Sequence, residues 1–201
     1  MHSLWQLLLV LIYPGLVYLC LERGGVRLAA AAVGALLIAR IVLIAPAQRR
    51  ALPRAVRVGL ALGVAMSLGA GLLDAPLPLL LLPVAVSAIG LFVFGSSLLG
   101  VPLIEQLARR QRPDLLQAEV RYCRTVTIVW CGFFSINAVL SLVLALRGPI
   151  SLWTLYTGLL AYLIIATLFV GEWFVRRMRF GTRAPTPLDA LLRRVRAVRL
   201  R

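Results

Sequence analysis

Lysine is absent from this chain, histidine occurs once, as His2, and only seven side chains are acidic. A single histidine leaves zinc chemistry and histidine-based acid–base catalysis without their usual ligands and bases. The cysteines are Cys20, Cys123 and Cys131. Their number is odd and no CxxC occurs, which argues against a disulfide framework or a metal site. There is no P-loop, no HExxH, no GxSxG and no dinucleotide fingerprint. No paired acids lie deep in the apolar runs, where proton relays place them. An enzyme would have to work with Glu105, Glu119 or Glu172 helped by Tyr or Arg. These absences imply no metal and no cofactor, and they favour a non-enzymatic role.

Charge of any kind is scarce as well. Charged residues make up 14% of the chain, against about a quarter in soluble domains. What fills the space is apolar: 61% of the residues are hydrophobic and the mean hydropathy is +0.94. A hydrocarbon core of about 30 Å needs about 20 apolar residues in a helix. Six segments meet this length or nearly so: about Leu4–Leu21, Leu28–Ala45 (interrupted by Arg40), Ala55–Leu73, Leu77–Leu98, Thr125–Leu146 and Ser151–Val175. The runs are continuous rather than alternating, so helices are expected and barrel strands are not. The predicted fold is all-α: a polytopic integral membrane protein with six transmembrane helices in residues 1–180, amphipathic cytoplasmic helices, and an Arg-rich tail in 181–201. The first segment lacks a basic leader and a small-residue cleavage site, and reads as a retained helix.

The net charge of +15 would suggest nucleic acid in a soluble protein. Here the arginines flank the apolar runs, which points to topology and anionic head groups instead, with no nucleic-acid partner. Arg49, Arg50, Arg54 and Arg57 lie between the second and third segments. Arg109, Arg110, Arg112, Arg121 and Arg124 lie between the fourth and fifth, and nine more follow the sixth. The alternate connections hold only Arg23 and Arg27, then none, then Arg147. The positive-inside rule therefore predicts six spans with both termini in the cytoplasm. Trp153 and Tyr156 at one end of the sixth segment, and Trp173 and Phe174 at the other, fit interfacial belts.

Val101–Arg112 reads as a short amphipathic cytoplasmic helix opened by Pro102 and closed by Pro113. Ile104, Leu107 and Ala108 share one face, and Glu105, Arg109 and Arg112 another. Asp114 is the expected cap of the next helix, with Gln117 three residues on. In the tail, Leu188, Leu191, Leu192, Val195 and Val198 form an apolar stripe among arginines, which predicts an amphipathic helix over about 187–200 lying on the inner leaflet. A solvated tail and a partner-binding helix are the alternatives.

Three constellations lie within the spans. Gly59, Gly63, Ser67 and Gly71 recur at four-residue spacing and predict close packing against Ala31, Ala35 and Ala39 of the second helix. Homo-oligomer formation through this face is the alternative. Arg40 lies near a boundary, where snorkelling to head groups competes with a substrate role. Thr127, Trp130, Phe134, Asn137 and Ser141 share one face of the fifth helix and should meet protein, by interhelical hydrogen bonding of Asn137 or as a pocket lining. The short connection at Arg147–Ile150 makes helices five and six an antiparallel hairpin in which residue numbers summing to about 297 are level. Glu172 then falls beside Arg121 and Arg124, and pairing with one of them is expected, with Arg176 one turn on as the competitor.

The run from Pro102-Leu-Ile-Glu105 through Arg109, Pro113-Asp-Leu115 and Arg121-Tyr-Cys-Arg124 leads into Thr127, Trp130, Phe133-Phe134 and Asn137, and later into Tyr156, Gly158, Tyr162 and Glu172-Trp-Phe-Val-Arg176. Over residues 83–177 this resembles a family of uncharacterised bacterial six-helix inner-membrane proteins. Members are encoded with ketosynthases, acyl carrier proteins and acyltransferases of aryl-polyene or fatty-acid-type clusters. The resemblance implies a pathway context, and no catalytic residue carries over from it. It makes acyl carrier protein or another biosynthetic enzyme a candidate partner, besides membrane lipids with anionic head groups at the inner leaflet. Three functions follow: a membrane accessory protein that anchors acyl-chain machinery, a small lipid or acyl-product transporter, and a membrane enzyme acting on a head group near Arg40, Arg124 and Glu172.

Overall fold

The structure, a computed structural model, describes residues 2–43 and 52–180. The tail helix expected at 187–200 and the connection bearing Arg49 and Arg50 lie outside the described residues. Among the described residues, helices and short connections account for the whole chain and no strand occurs. Five helices there are long and apolar enough to cross a membrane: Tyr13–Val42, Arg54–Leu73, Leu77–Ser97, Gln117–Arg147 and Ile150–Phe180.

Helix α1, His2–Leu43, takes in both of the first two predicted segments. No loop separates them. The break is one residue, Gly25, at φ 75° and ψ −173°, a backbone conformation open essentially to glycine alone. Val17 before the break joins Ala29, Ala30 and Val33 after it in a buried cluster with Ala70, Leu79, Leu82 and Trp153.

Helix α2, Arg54–Leu73, starts after Pro53 and stops at Asp74, whose left-handed backbone donates its N–H to Ala70 O. Its small residues approach the second limb of α1 closely. A Cβ added to Gly71 would lie 3.4 Å from Ala30 Cβ, one on Gly34 would lie 3.7 Å from Ser67 Cβ, and one on Gly63 would lie 3.0 Å from Leu37 Cδ1. Numbers rise on one helix as they fall on the other, so the pair is antiparallel. The expected partner helix is therefore the observed one, but the face is displaced by one residue. Ala30, Val33, Gly34 and Leu37 make the contact, and Ala31, Ala35 and Ala39 are exposed. Positions i and i+1 differ by about 100° around a helix, and a run of five consecutive alanines and valines does not reveal which stripe turns inward. Gly59 faces elsewhere, toward Ile89.

Helices α3 (Leu77–Leu80) and α4 (Leu82–Ser97) follow one another across Leu81. Helix α5, Leu103–Gln111, is the short amphipathic helix, with Pro102 just before its first turn. Ser97 Oγ accepts the Leu103 N–H at 2.9 Å and satisfies one of its first donors. It ends where Pro113 forces Arg112 into extended backbone, φ −149° and ψ 108°. The buried side of α5 holds Glu105 and Ala108, whereas Leu107 is exposed, which reverses the expected placement of Glu105 and Leu107.

Helix α6, Gln117–Arg147, is capped by Glu119 rather than by Asp114: the Glu119 carboxylate accepts the Leu116 N–H at 2.8 Å. After the turn at Gly148-Pro149 come α7 (Ile150–Leu155), a π-helical turn at Tyr156–Leu160, and α8 (Ala161–Phe180). The hairpin register is close to expectation, since Asn137 meets Tyr156, Trp130 meets Phe169 and Tyr122 meets Glu172.

By contacts the chain divides into two units, one of residues 1–90 and 134–162, the other of 91–133 and 163–201.

Candidate functional site

In the second unit, α5, the start of α6 and the end of α8 gather three of the seven acids of the chain, each held by an arginine. Glu105 is 5% exposed and accepts from Arg109 Nε at 2.7 Å. Arg109 also donates to Pro113 O at 3.2 Å, which ties α5 to the bend that ends it. Glu119 is 4% exposed and takes Arg112 as well as the Leu116 N–H, so one carboxylate caps α6 and closes the connection from α5. Glu172 pairs with Arg176 one turn later, through Nε at 2.6 Å, and Arg176 is itself buried.

The aromatic setting is compact. The Arg176 guanidinium lies 5.5 Å from the Tyr122 ring centroid and that of Arg179 lies 6.0 Å from it. Tyr122 donates its hydroxyl to Glu172 O at 3.3 Å and packs edge-on against Phe180. Between these groups runs a crevice of about 10 Å³, room for about one water molecule, lined by Arg112, Leu115, Glu119, Cys123 and Arg176 among others. Each of these carboxylates is engaged by a guanidinium. Among the described residues, no three His, Cys, Asp or Glu side chains converge as a metal site.

The expected partnership of Glu172 with Arg121 or Arg124 does not form. Both arginines are exposed, and Arg124 instead donates to Leu98 O at 3.2 Å, just beyond the end of α4. The depth was right and the face was wrong. Glu119, Cys123, Val126, Thr127 and Trp130 line the inward side of α6, which turns positions 121 and 124 outward. Arg176 wins because an i, i+4 pair with Glu on the N-terminal side meets by backbone geometry alone. Arg40 is half-buried near the described end of α1, in the first unit.

The polar face of α6 does meet protein. Thr127 is fully buried and returns its hydroxyl to Cys123 O at 2.8 Å. The Trp130 ring packs among Phe94, Phe133 and Phe169. In the first unit, Tyr156 Oη donates to Asn137 Oδ1 at 2.9 Å, Asn137 Nδ2 donates to Ser87 Oγ at 2.8 Å, and Ser87 donates to Pro83 O at 2.8 Å. Asn137 thus makes interhelical hydrogen bonds, the first of the two readings of this stripe. Ser141 is fully buried and its Oγ has no hydrogen-bond partner among the described residues.

Sequence reasoning missed Glu105 and Glu119 as buried, paired groups, and missed Ser87 and Tyr156 as partners of Asn137. A signal existed for the acids: in so acid-poor a chain, Glu105 stands four residues before Arg109. No comparable signal exists for Ser87, 50 residues from Asn137.

Comparison with protein-family models, curated proteins and solved structures finds no match to this chain.

Proposed function

We propose that this chain is a bacterial inner-membrane protein with six crossings and both termini in the cytoplasm, and that it anchors acyl-chain biosynthetic machinery without itself catalysing a reaction. The two limbs of α1 then cross separately, turning at Gly25. At 1.5 Å per residue each limb matches a hydrocarbon core of about 30 Å, which a straight helix of this length would overshoot twofold. The pathway rests on the resemblance to inner-membrane proteins encoded with ketosynthases and acyl carrier proteins.

One observation carries the anchoring role. Glu105, Glu119 and Glu172 of the second unit are paired with Arg109, Arg112 and Arg176, while Arg110, Arg121, Arg124, Arg177 and Arg179 remain exposed, together with one acid, Asp114. Internal pairing of these three acids leaves five exposed arginines against the one exposed Asp114 at the proposed cytoplasmic end, a cationic surface of the kind an acidic partner requires. The transporter reading gains less support, because Asn137, Tyr156 and Ser87 are hydrogen-bonded to one another rather than held for a ligand. The enzyme reading loses its best carboxylate to Arg176.

The test is capture of an acidic acyl carrier protein by the full chain in nanodiscs of zwitterionic lipid. Binding at low salt that falls steeply as salt rises, and that drops at least tenfold in an Arg110→Gln, Arg121→Gln, Arg124→Gln variant, supports anchoring. No capture at low salt overturns it. Capture only when anionic lipid replaces the zwitterionic lipid assigns the charge to head groups.

A further inference from the structure

Three helices of the first unit are irregular where they meet. Pro83 has no N–H, so Leu79 O lacks its helical donor. Two side chains from other helices reach this point: Tyr13 Oη donates to Leu79 O at 2.6 Å and Trp153 Nε1 donates to Leu80 O at 3.1 Å. Their rings pack edge-on, 6.2 Å apart. Tyr13 precedes Pro14, the one proline inside α1, and Trp153 precedes the π-helical turn at Tyr156–Leu160. Gly158 of that turn lies against Pro14, so close that an added Cβ would come within 3.3 Å of the ring. Irregular backbone in a low-dielectric setting persists only where its polar groups are satisfied. Here two aromatic side chains act as donors to consecutive carbonyls.

One group at this level is not satisfied. The antiparallel register that brings Ser87 to Asn137 and Gly90 to Phe134 places Ser141 level with Pro83. Its hydroxyl is fully buried and has no hydrogen-bond partner among the described residues. A buried hydroxyl left without a hydrogen bond disfavours the conformation that strands it.

We propose that α3 is a clasp with two conformations. The closed one is seen here, held by Tyr13 and Trp153 on the Leu79 and Leu80 carbonyls. In the open one the Leu79–Pro83 turn releases these donors and the Ser141 hydroxyl gains a hydrogen bond. The two sets of groups bias the equilibrium in opposite directions. Removing the Tyr13 hydroxyl weakens the closed state. Removing the Ser141 hydroxyl relieves the closed state of its unsatisfied group and deprives the open state of a bond.

Hydrogen–deuterium exchange of the segment 77–91, on the full chain in nanodiscs, reads this equilibrium, with exchange in α5 as internal reference. Tyr13→Phe should speed exchange of the segment about threefold, the size expected for one hydrogen bond inside a membrane. Trp153→Phe should do the same, which keeps the test intact if one variant folds poorly. Ser141→Ala should slow it, by about threefold or more. Acceleration in Ser141→Ala, as for any simple loss of packing, overturns the clasp. So does unchanged exchange in both Tyr13→Phe and Trp153→Phe.

Discussion

The unit made of residues 1–90 and 134–162 builds its interior hydrogen bonds from neutral groups: phenol to amide, amide to hydroxyl, indole to carbonyl. The unit made of residues 91–133 and 163–201 uses charge: three carboxylates, each on a guanidinium, with a phenol stacked among them. The difference follows from what each environment tolerates. A charge deep in an apolar layer is costly, whereas hydrogen bonds between neutral side chains there are cheap and individually weak. Near the proposed boundary, carboxylates are affordable when paired, and a pair once buried becomes costly to break because the survivor is stranded. The two units thus show two ways to fix helix faces, many small neutral bonds or a few pairs that fail abruptly.

This contrast predicts a ranked set of outcomes. Arg176→Gln strands Glu172 and should destabilise the protein by about 3–5 kcal/mol in denaturant titration in detergent, while Arg176→Leu with Glu172→Leu together should restore most of the loss. Arg124→Gln sharpens the assignment: it should cost about 1 kcal/mol or less, and a loss equal to that of Arg176→Gln would mean that Glu172 has the other partner after all.

In the neutral unit, Asn137→Leu removes both its bonds and should cost about 1–2 kcal/mol in the same titration, with Tyr156→Phe costing about half as much. A larger loss than for Arg176→Gln would break the contrast between the units. The weakest expected effect is at the C-terminal end of α2, where Arg27 and Asp74 meet at 3.6 Å with both side chains largely exposed. Arg27→Ala should change stability by less than about 1 kcal/mol, and raised salt should remove even that.

Much of the helical layout was legible from hydropathy, because a membrane-length apolar run leaves few alternatives to a helix. The ends of α5 were legible for the same kind of local reason: Pro102 and Pro113 constrain the backbone whatever surrounds them. The α6–α8 hairpin was legible in depth, since a short turn and a constant rise set which residues are level. Faces were not. Ala30 and Ala31, or Arg121 and Tyr122, differ by one position, and the choice between them depends on packing against helices distant in sequence. The first two segments illustrate the same limit. Their apolar character was plain, but their union into α1 turns on one glycine conformation that composition does not encode.

By itself the sequence determined that this chain is helical, that its helices are long and apolar enough for a membrane, and that its cations gather at alternate connections. These are sums over local properties: hydropathy, rise per residue and charge position. Only the tertiary structure decided that Glu172 belongs to Arg176, that Glu105 and Glu119 are buried, and that Asn137 joins Ser87 and Tyr156. Each of these depends on which side of a helix faces inward, and that is settled by the joint packing of all the helices rather than by any one of them.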